Sequence, residues 1–243
     1  MIPPDHPRYR SLVVRERLAK CALQGVVSWE GLTAHGRGEA FDYLLGERTN
    51  DSARMAERMA AAMLLSARHP VISINGNTAA LAAREIADLQ HACHAIVEVN
   101  LFHRTEERIQ QIEDLLRVAG ASVFSGAAER LLPLSHDRAW CRRGGIYSAD
   151  VVLVPLEDGD RCEALVAMGK QVIAIDLNPL SRTARTATLT IVDELTRALP
   201  EITRACMDLT LTDCERIVAS LDNHYLLQEA IREMTARLRH ALD

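Results

Sequence analysis

The chain has 243 residues, 48% of them hydrophobic, and a formal net charge of −5, which suits one compact soluble domain and excludes a general basic field for nucleic acid. Aromatic residues make up 4%, too few for base-stacking platforms, and no apolar run is long enough to predict a membrane span. The six cysteines (Cys21, Cys93, Cys141, Cys162, Cys206, Cys214) form no CxxC pair, and the polar, proline-rich start is no secretory signal, so reduced thiols and a cytoplasmic location are expected.

In chain order, Leu12, Val13, Leu18 and Leu23 recur among charges over 8–24 and predict an amphipathic helix. The stretch 34–50, AHGRGEAFDYLLGERTN, mixes three glycines with Arg37, Glu39, Asp42, Glu47 and Arg48 and reads as a loop holding a short helix. Asp51 or Ser52 is a plausible N-cap for a helix over 52–68 with a wide apolar face. From Pro70 onward short β-branched runs alternate with helical periods. Strands are expected at 71–75, 95–100, 121–126, 149–156, 171–176 and 187–193, with helices at about 78–91, 102–119, 159–169 and 194–207. This alternation predicts an α/β fold: a Rossmann-like, mostly parallel sheet with helices on both faces. The expected layout is an N-terminal helical segment (1–69), the α/β core (70–207) and a C-terminal helical tail (208–243), forming one compact domain.

Ligands of open parallel sheets collect beyond the carboxyl ends of the strands, so the residues just after each strand are the informative ones. Asn75, Gly76 and Asn77 can offer backbone N–H groups to a phosphate, or simply make a capped turn. No GxGxxG or GxxxxGK[ST] motif is present, which disfavours a nicotinamide dehydrogenase and a Walker-type NTPase. Arg104 opens the next helical period, with Glu98 on the strand before it; anion binding and surface decoration are both open readings. His91, Cys93 and His94 make only a weak metal pattern. Glu157, Asp158, Gly159, Asp160 and Arg161 suit Mg²⁺, a substrate ammonium group or a ribose hydroxyl, with plain solvation as the alternative. The stretch IDLNPLSRTARTATLT (175–190) leaves its strand at Asp176, Asn178 and Pro179 and then presents Arg182, Arg185 and four threonines with no further acid. Arg37 between Gly36 and Gly38 can lie along a phosphate unobstructed. Arg37, Arg48, Arg104, Arg161, Arg182 and Arg185 are therefore expected along one rim of an acidic chain, favouring a polyphosphate-bearing ligand. With no Ser-His-Asp motif, no catalytic cysteine context and only Lys20 and Lys170 as lysines, the chemistry is read as positioning and charge stabilisation.

The blocks HPRYRSLVVRERL, AHGRGEAFDYLLGERT, HPVISINGN, VEVNLFHRTEER, ADVVLVPLEDGDR and VIAIDLNPLSRTARTATLTIVDELTRA resemble the archaeal phosphopantothenate synthetases, 4-phosphopantoate:β-alanine ligases. The resemblance runs from residue 6 to about 200 and is weak over 126–143 and beyond Pro200. It implies an ATP-dependent ligase of coenzyme A biosynthesis that makes 4′-phosphopantothenate, AMP and diphosphate through an acyl adenylate. It also implies ATP contacts at Arg15, Arg37, Asp176, Leu177, Asn178, Arg182, Thr183, Glu194 and Leu195, and a homodimer. An interface on the helix 52–68 or on the tail would then be expected.

Physical inference adds Asn75, Gly76, Asn77, Arg48 and Arg104 for 4-phosphopantoate, and Glu157, Asp158 and Asp160 for the β-alanine amine. Arg37, Asp160 and Arg161 are the expected catalytic set, Mg²⁺ the expected companion of ATP, and neither nucleic acid nor membrane an expected partner. The rival readings are a nucleotide-binding regulatory module without turnover and a ligase acting on unphosphorylated pantoate.

Overall fold

The computed structural model describes residues 2–6 and 8–241. Three helices, α1 (Tyr9–Leu23), α2 (Trp29–Leu45) and α3 (Asp51–Ser66), precede the alternating part of the chain. There follow β1 (Pro70–Ile74), α4 (Gly76–Cys93), β2 (Ile96–Val99) and α5 (Glu106–Val118), then a small antiparallel ribbon of β3 (Glu129–Arg130) and β4 (Trp140–Cys141). The chain continues with β5 (Val151–Pro155), α6 (Gly159–Ala167), β6 (Gln171–Ile175), α7 (Arg182–Thr186) and β7 (Leu189–Ile191). It ends in α8 (Leu195–Asp208), α9 (Leu211–Ala219) and α10 (Asn223–Arg239).

The main sheet is wholly parallel, in the order β2-β1-β5-β6-β7. The chain builds outward from β1 to β2, then crosses back to β5 and proceeds the other way. Strand order therefore reverses between β1 and β5, the place where an open parallel sheet leaves a crevice beyond its carboxyl edge. Alternate residues face opposite layers, as the two-residue period of a strand requires. Ile72, Ile74, Leu153, Ile173 and Ile175 meet α1, α3, α4, α5 and α8. Val71, Val152, Val154, Val172 and Ala174 meet α6 and the segment around Ile146.

Three expectations are corrected. The stretch 34–50 is no loop: it lies mostly in α2, a helix of 17 residues capped by Ser28, which accepts from Gly31 N at 3.1 Å, and stopped by Gly46 at φ 95°. Its glycines hide the helical pattern; close approach explains Gly31, where a Cβ would sit 2.4 Å from Asn77 Oδ1, but not Gly36, where a Cβ would meet nothing within 4 Å. The run 121–126 forms no strand, only a bridge from Val123 to Val97. The Gln90 side chain takes the backbone N–H and C=O of Ser122 (2.8 and 2.7 Å) that a ladder would have used. The loop after Pro179 contains α7, capped by Ser181 accepting from Ala184 N at 2.9 Å.

The apolar face of α3 is filled within the chain, with Ala60, Ala61, Met63 and Leu64 in the main core, so that face is not open to a second copy. On α10, Leu227, Ala230 and Met234 pack with Leu45, Leu177 and Val192. Among the described residues no helix is long and apolar enough to cross a membrane.

Candidate active site

The helix α2 lies across the carboxyl edge of the sheet. Near its start, Asn77 from the segment after β1 donates to Gly31 O at 2.7 Å. In its middle, a Cβ on Gly38 would sit 3.7 Å from Leu177 Cδ1, just past β6. Towards its end, Asp42 accepts from Arg197 of α8 at 2.5 and 3.1 Å, just past β7. Gly31, Gly38, Asp42 and Leu45 share one helical face by spacing, and that face spans β1 to β7. Arg37, beside Gly38, is exposed and makes no hydrogen bond or ion pair among the described residues.

At the β1/β5 reversal the Asn75 side chain is fully engaged. Its Oδ1 caps α4 by accepting from Thr78 N at 3.0 Å, while Nδ2 donates to Pro155 O and Leu156 O at 2.9 and 3.1 Å. Asn75 thus ties the two strand ends together and opens α4, whose first backbone N–H groups have no partner within the helix. Gly76 is required here: a Cβ would meet Val26 O at 2.2 Å.

Beyond β5 the structure corrects the expected roles. Arg161, expected at the rim, has a side chain 0% exposed; it donates to Glu157 Oε2 at 2.5 Å and Ser73 Oγ at 2.7 Å. Burial lowers its pKa. It lies on the inward side of the first turn of α6, so it is no surface anion contact. Glu157, itself 2% exposed, is spent on that pair and on Asp158 N at 2.8 Å. Asp158 accepts from Arg138 Nε at 3.0 Å. Glu157 is not free to receive a substrate ammonium group without breaking its ion pair, whereas Asp158, 39% exposed, keeps one oxygen clear of Arg138.

Asp160 is exposed to a similar degree as Asp158, 40%. It bonds His136 Nε2 at 2.7 Å, accepts from Arg161 N at 3.0 Å and stands 3.9 Å from Arg182. Burial pushes its carboxyl up, but the hydrogen bond and charge of His136 outweigh that and hold it below its ordinary value. The His136 ring stacks on Phe102, with centroids 4.6 Å apart. His136 and Arg138 come from the segment 126–143, where no local motif pointed to them; separations of 24 and 20 residues from their acids leave no sequence signal.

Beneath this surface Arg138, Arg142 and Arg161 are interleaved with Glu98, Glu113 and Glu157, all six side chains largely or wholly buried. Glu98 accepts from Arg142 N and Ile146 N at 2.8 and 2.7 Å, and burial raises its pKa. Such a layer survives burial because Arg138, Arg142 and Arg161 face Asp158, Glu113 and Glu157, while Glu98 is held by two backbone N–H groups.

Beyond β6, Asp176 accepts from Asn178 N at 2.9 Å and Ser181 Oγ at 2.5 Å, its pKa raised by burial. Asn178 Oδ1 accepts from Leu180 N at 2.9 Å, which fixes the turn. Arg182 is 60% exposed and has only the loose partners Glu163 (3.5 Å) and Asp160 (3.9 Å). Thr183 is buried and donates to Glu157 O at 2.9 Å, joining α7 to the β5 loop. Arg185 is exposed and makes no side-chain bond among the described residues.

Beyond β7, Glu194 caps α8 by accepting from Thr196 N at 2.8 Å, and burial raises its pKa; Leu195 is in the core. Arg15 forks onto Glu39 of α2 at 2.8–3.0 Å, and Glu39 raises its pKa.

Beyond the carboxyl edge, Asn75 ties the ends of β1 and β5, Thr183 joins α7 to the β5 loop, Arg182 stands 3.9 Å from Asp160, and α2 meets Asn77 and Leu177, with Arg37 exposed on that helix. Two further expected contacts have partners of their own. Arg48 pairs with Glu233 of α10 at 2.9 Å. Arg104 lies beyond the edge strand β2, bonded to Glu106 at 3.0 Å and lining a cavity of about 540 Å³ with Asp137, Trp140 and Arg142. His91, Cys93 and His94 form no group able to hold a metal ion, and no other such group occurs among the described residues.

The phosphopantothenate/pantothenate synthetase family model matches residues 52–237. A 4-phosphopantoate–β-alanine ligase of Methanospirillum hungatei is 57% identical over 243 residues, 100% of both chains. The protein of that name from Methanosarcina mazei is 52% identical, over 98% of this chain and 96% of its own. The one from Thermococcus kodakarensis is 48% identical, over 98% of this chain and 93% of its own. Matched over most of its length by the family model and end to end by such relatives, this chain belongs to the phosphopantothenate/pantothenate synthetase family.

Proposed function

We propose that the chain joins 4-phosphopantoate to β-alanine at the expense of ATP, releasing AMP and diphosphate. The observation that carries this reading is that Arg37 on α2, the helix packed at the ends of β6 and β7, and Arg182 at the start of α7 are both exposed without close ion pairs. A carboxylate has no usable leaving group and must first be activated; in the proposed route its oxygen attacks the α-phosphorus of ATP, expelling diphosphate and leaving an acyl adenylate. The β-alanine amine then attacks the acyl carbon, AMP departs, and one proton is released. The first step forces anions together: two unit charges about 4 Å apart repel by roughly 4 kcal/mol at an effective dielectric near 20. Cations and helix N-termini must offset this.

In this reading Arg37 and Arg182 face the triphosphate, while Asp176 to Asn178 and the α8 cap at Glu194 and Leu195 hold the nucleoside. Arg15 acts through Glu39, to which it is bound, and Thr183 by fixing α7. The N–H groups at the start of α4 receive an anionic group of 4-phosphopantoate, with Arg104 as a more distant cation. Asp160 takes the β-alanine amine. Glu157, Asp158 and Arg161 support this surface from below. Mg²⁺ fits as a companion of the triphosphate: the carboxylates after β5 are already paired with Arg161, Arg138 and His136, so the ion would keep mainly phosphate oxygens and water as ligands. A homodimer and a cytoplasmic location complete the proposal, both resting on the family resemblance and composition.

Purified protein supplied with ATP, Mg²⁺, 4-phosphopantoate and β-alanine should form AMP and diphosphate only when both acid and amine are present. ADP as the product would refute the adenylate route. A higher kcat/KM with unphosphorylated pantoate would replace the acid substrate.

A further inference from the structure

Glu57 on α3 is 2% exposed, and neither of its carboxyl oxygens meets a hydrogen-bond donor among the described residues. Burying an ionised carboxylate without donors is costly. The acid that acts on it most strongly is Asp193, immediately past β7, the strand against which α3 packs. Asp193 is rich in donors: Thr49 Oγ1 at 2.6 Å, Glu194 N at 2.7 Å, and Arg197 Nε and NH2 at 2.9 and 2.5 Å. Two neighbouring buried carboxyl groups do not both ionise readily. Glu57 is the one without donors, and it keeps its proton.

The other charges facing Glu57 are Arg54 and Arg58 of α3 and Glu201, Arg204 and Asp208 of α8, which line a cavity of about 180 Å³ with it. Arg54 and Arg204 are paired with Asp51 and Glu201, and Arg58 faces Asp213 of α9. Burial, then the charges of Asp193 and Glu201, push the Glu57 carboxyl up to about 9.

We propose that Glu57 is a positioning residue for the nucleotide end of the site, a neutral carboxylic acid whose O–H donates to Asp193 and holds that carboxylate for Arg197 and the first turn of α8. Through Asp193 and Arg197 the bond reaches Asp42 of α2, the helix that carries Arg37. One proton thereby joins α3, the end of β7, α8 and α2. The proposal rests on the reading of Glu194 and Leu195 as nucleotide contacts.

The sign of the pH effect follows from the raised folded value. The folded chain keeps a proton that the unfolded chain has already released, so the contribution of Glu57 to stability is whole below the ordinary carboxyl range and falls as pH rises to about 9. Glu57→Gln keeps a donor and removes the titration, whereas Glu57→Leu removes both.

The test compares parent, Glu57→Gln and Glu57→Leu by melting temperature from about pH 6 to about pH 10, by infrared spectroscopy of carboxylic acid C=O bands at neutral pH, and by KM for ATP. The Gln variant is expected to lose less melting temperature than the parent as pH rises, to lack one protonated-carboxyl band, and to retain the parental KM. The Leu variant is expected to raise KM for ATP roughly tenfold with little change in kcat. A Gln variant whose pH curve parallels the parent and whose infrared band is unchanged would overturn the proposal, and so would a Leu variant with parental KM. If the Leu variant does not fold, the Gln comparison alone decides. The melting and infrared readings need no turnover, so they separate failure of this proposal from failure of the ligase reading.

Discussion

Glu157→Ala distinguishes two roles for the acids after β5. If Glu157 received the β-alanine amine, its loss would raise KM for β-alanine and leave stability nearly intact. The structure assigns it instead to Arg161, whose guanidinium is fully buried and otherwise reaches only Ser73 Oγ, with Nε unpartnered. Removing one member of a buried ion pair strands the other charge in a low dielectric, at about 3–5 kcal/mol. For a chain of this size each kcal/mol shifts Tm by about 2–4 °C, so a drop of roughly 6–20 °C is expected. Replacing both partners, Glu157→Leu with Arg161→Met, should recover most of that loss, because no uncompensated charge remains. Thermal denaturation followed by circular dichroism reads this directly. A Glu157→Ala variant melting within about 2 °C of the parent, with a raised KM for β-alanine, would refute the assignment.

Other consequences concern groups that face solvent. Arg37→Ala should abolish ATP-dependent turnover while leaving Tm within about 1 °C, since this side chain has no partner among the described residues and an exposed site contributes little to stability. Kinetics matching the parent would remove Arg37 from the triphosphate. Asp160→Asn should slow amide formation more than adenylation, which diphosphate exchange into ATP in the absence of β-alanine can separate; an equal loss in both would mean that Asp160 serves the first step. Gly76→Ala should cost about 1–3 kcal/mol, because its Cβ would meet the backbone carbonyl of Val26 rather than a side chain that can swing away. An unchanged Tm would show that the turn at Val26 yields freely.

The sheet was legible because burial on both faces writes β1 and β5 as nearly continuous apolar runs, PVISI and VVLVP, interrupted only by Ser73. The sheet edge followed from them, and with it the place of Asn75 and Asp176 just past β1 and β6. What could not be read locally was direction. Arg161 stands among three acids, which reads as a solvated rim, yet the helix turns it inward to meet Glu157 four residues earlier. The helix α2 escaped because its pattern is not apolar: its inward face is built on Gly31, Gly38 and Asp42, which meet Asn77, Leu177 and Arg197. His136 had no signal at all, because its pairing with Asp160 exists only once the segment after α5 returns to the end of β5.

The most direct test of the adenylate mechanism is to follow the carboxylate oxygen. With 4-phosphopantoate labelled by ¹⁸O in its carboxylate, attack on the α-phosphorus leaves one labelled oxygen on AMP after β-alanine displaces it. The account predicts one ¹⁸O per AMP formed, read by mass spectrometry. Label appearing in inorganic phosphate with ADP, or AMP free of label, would contradict it.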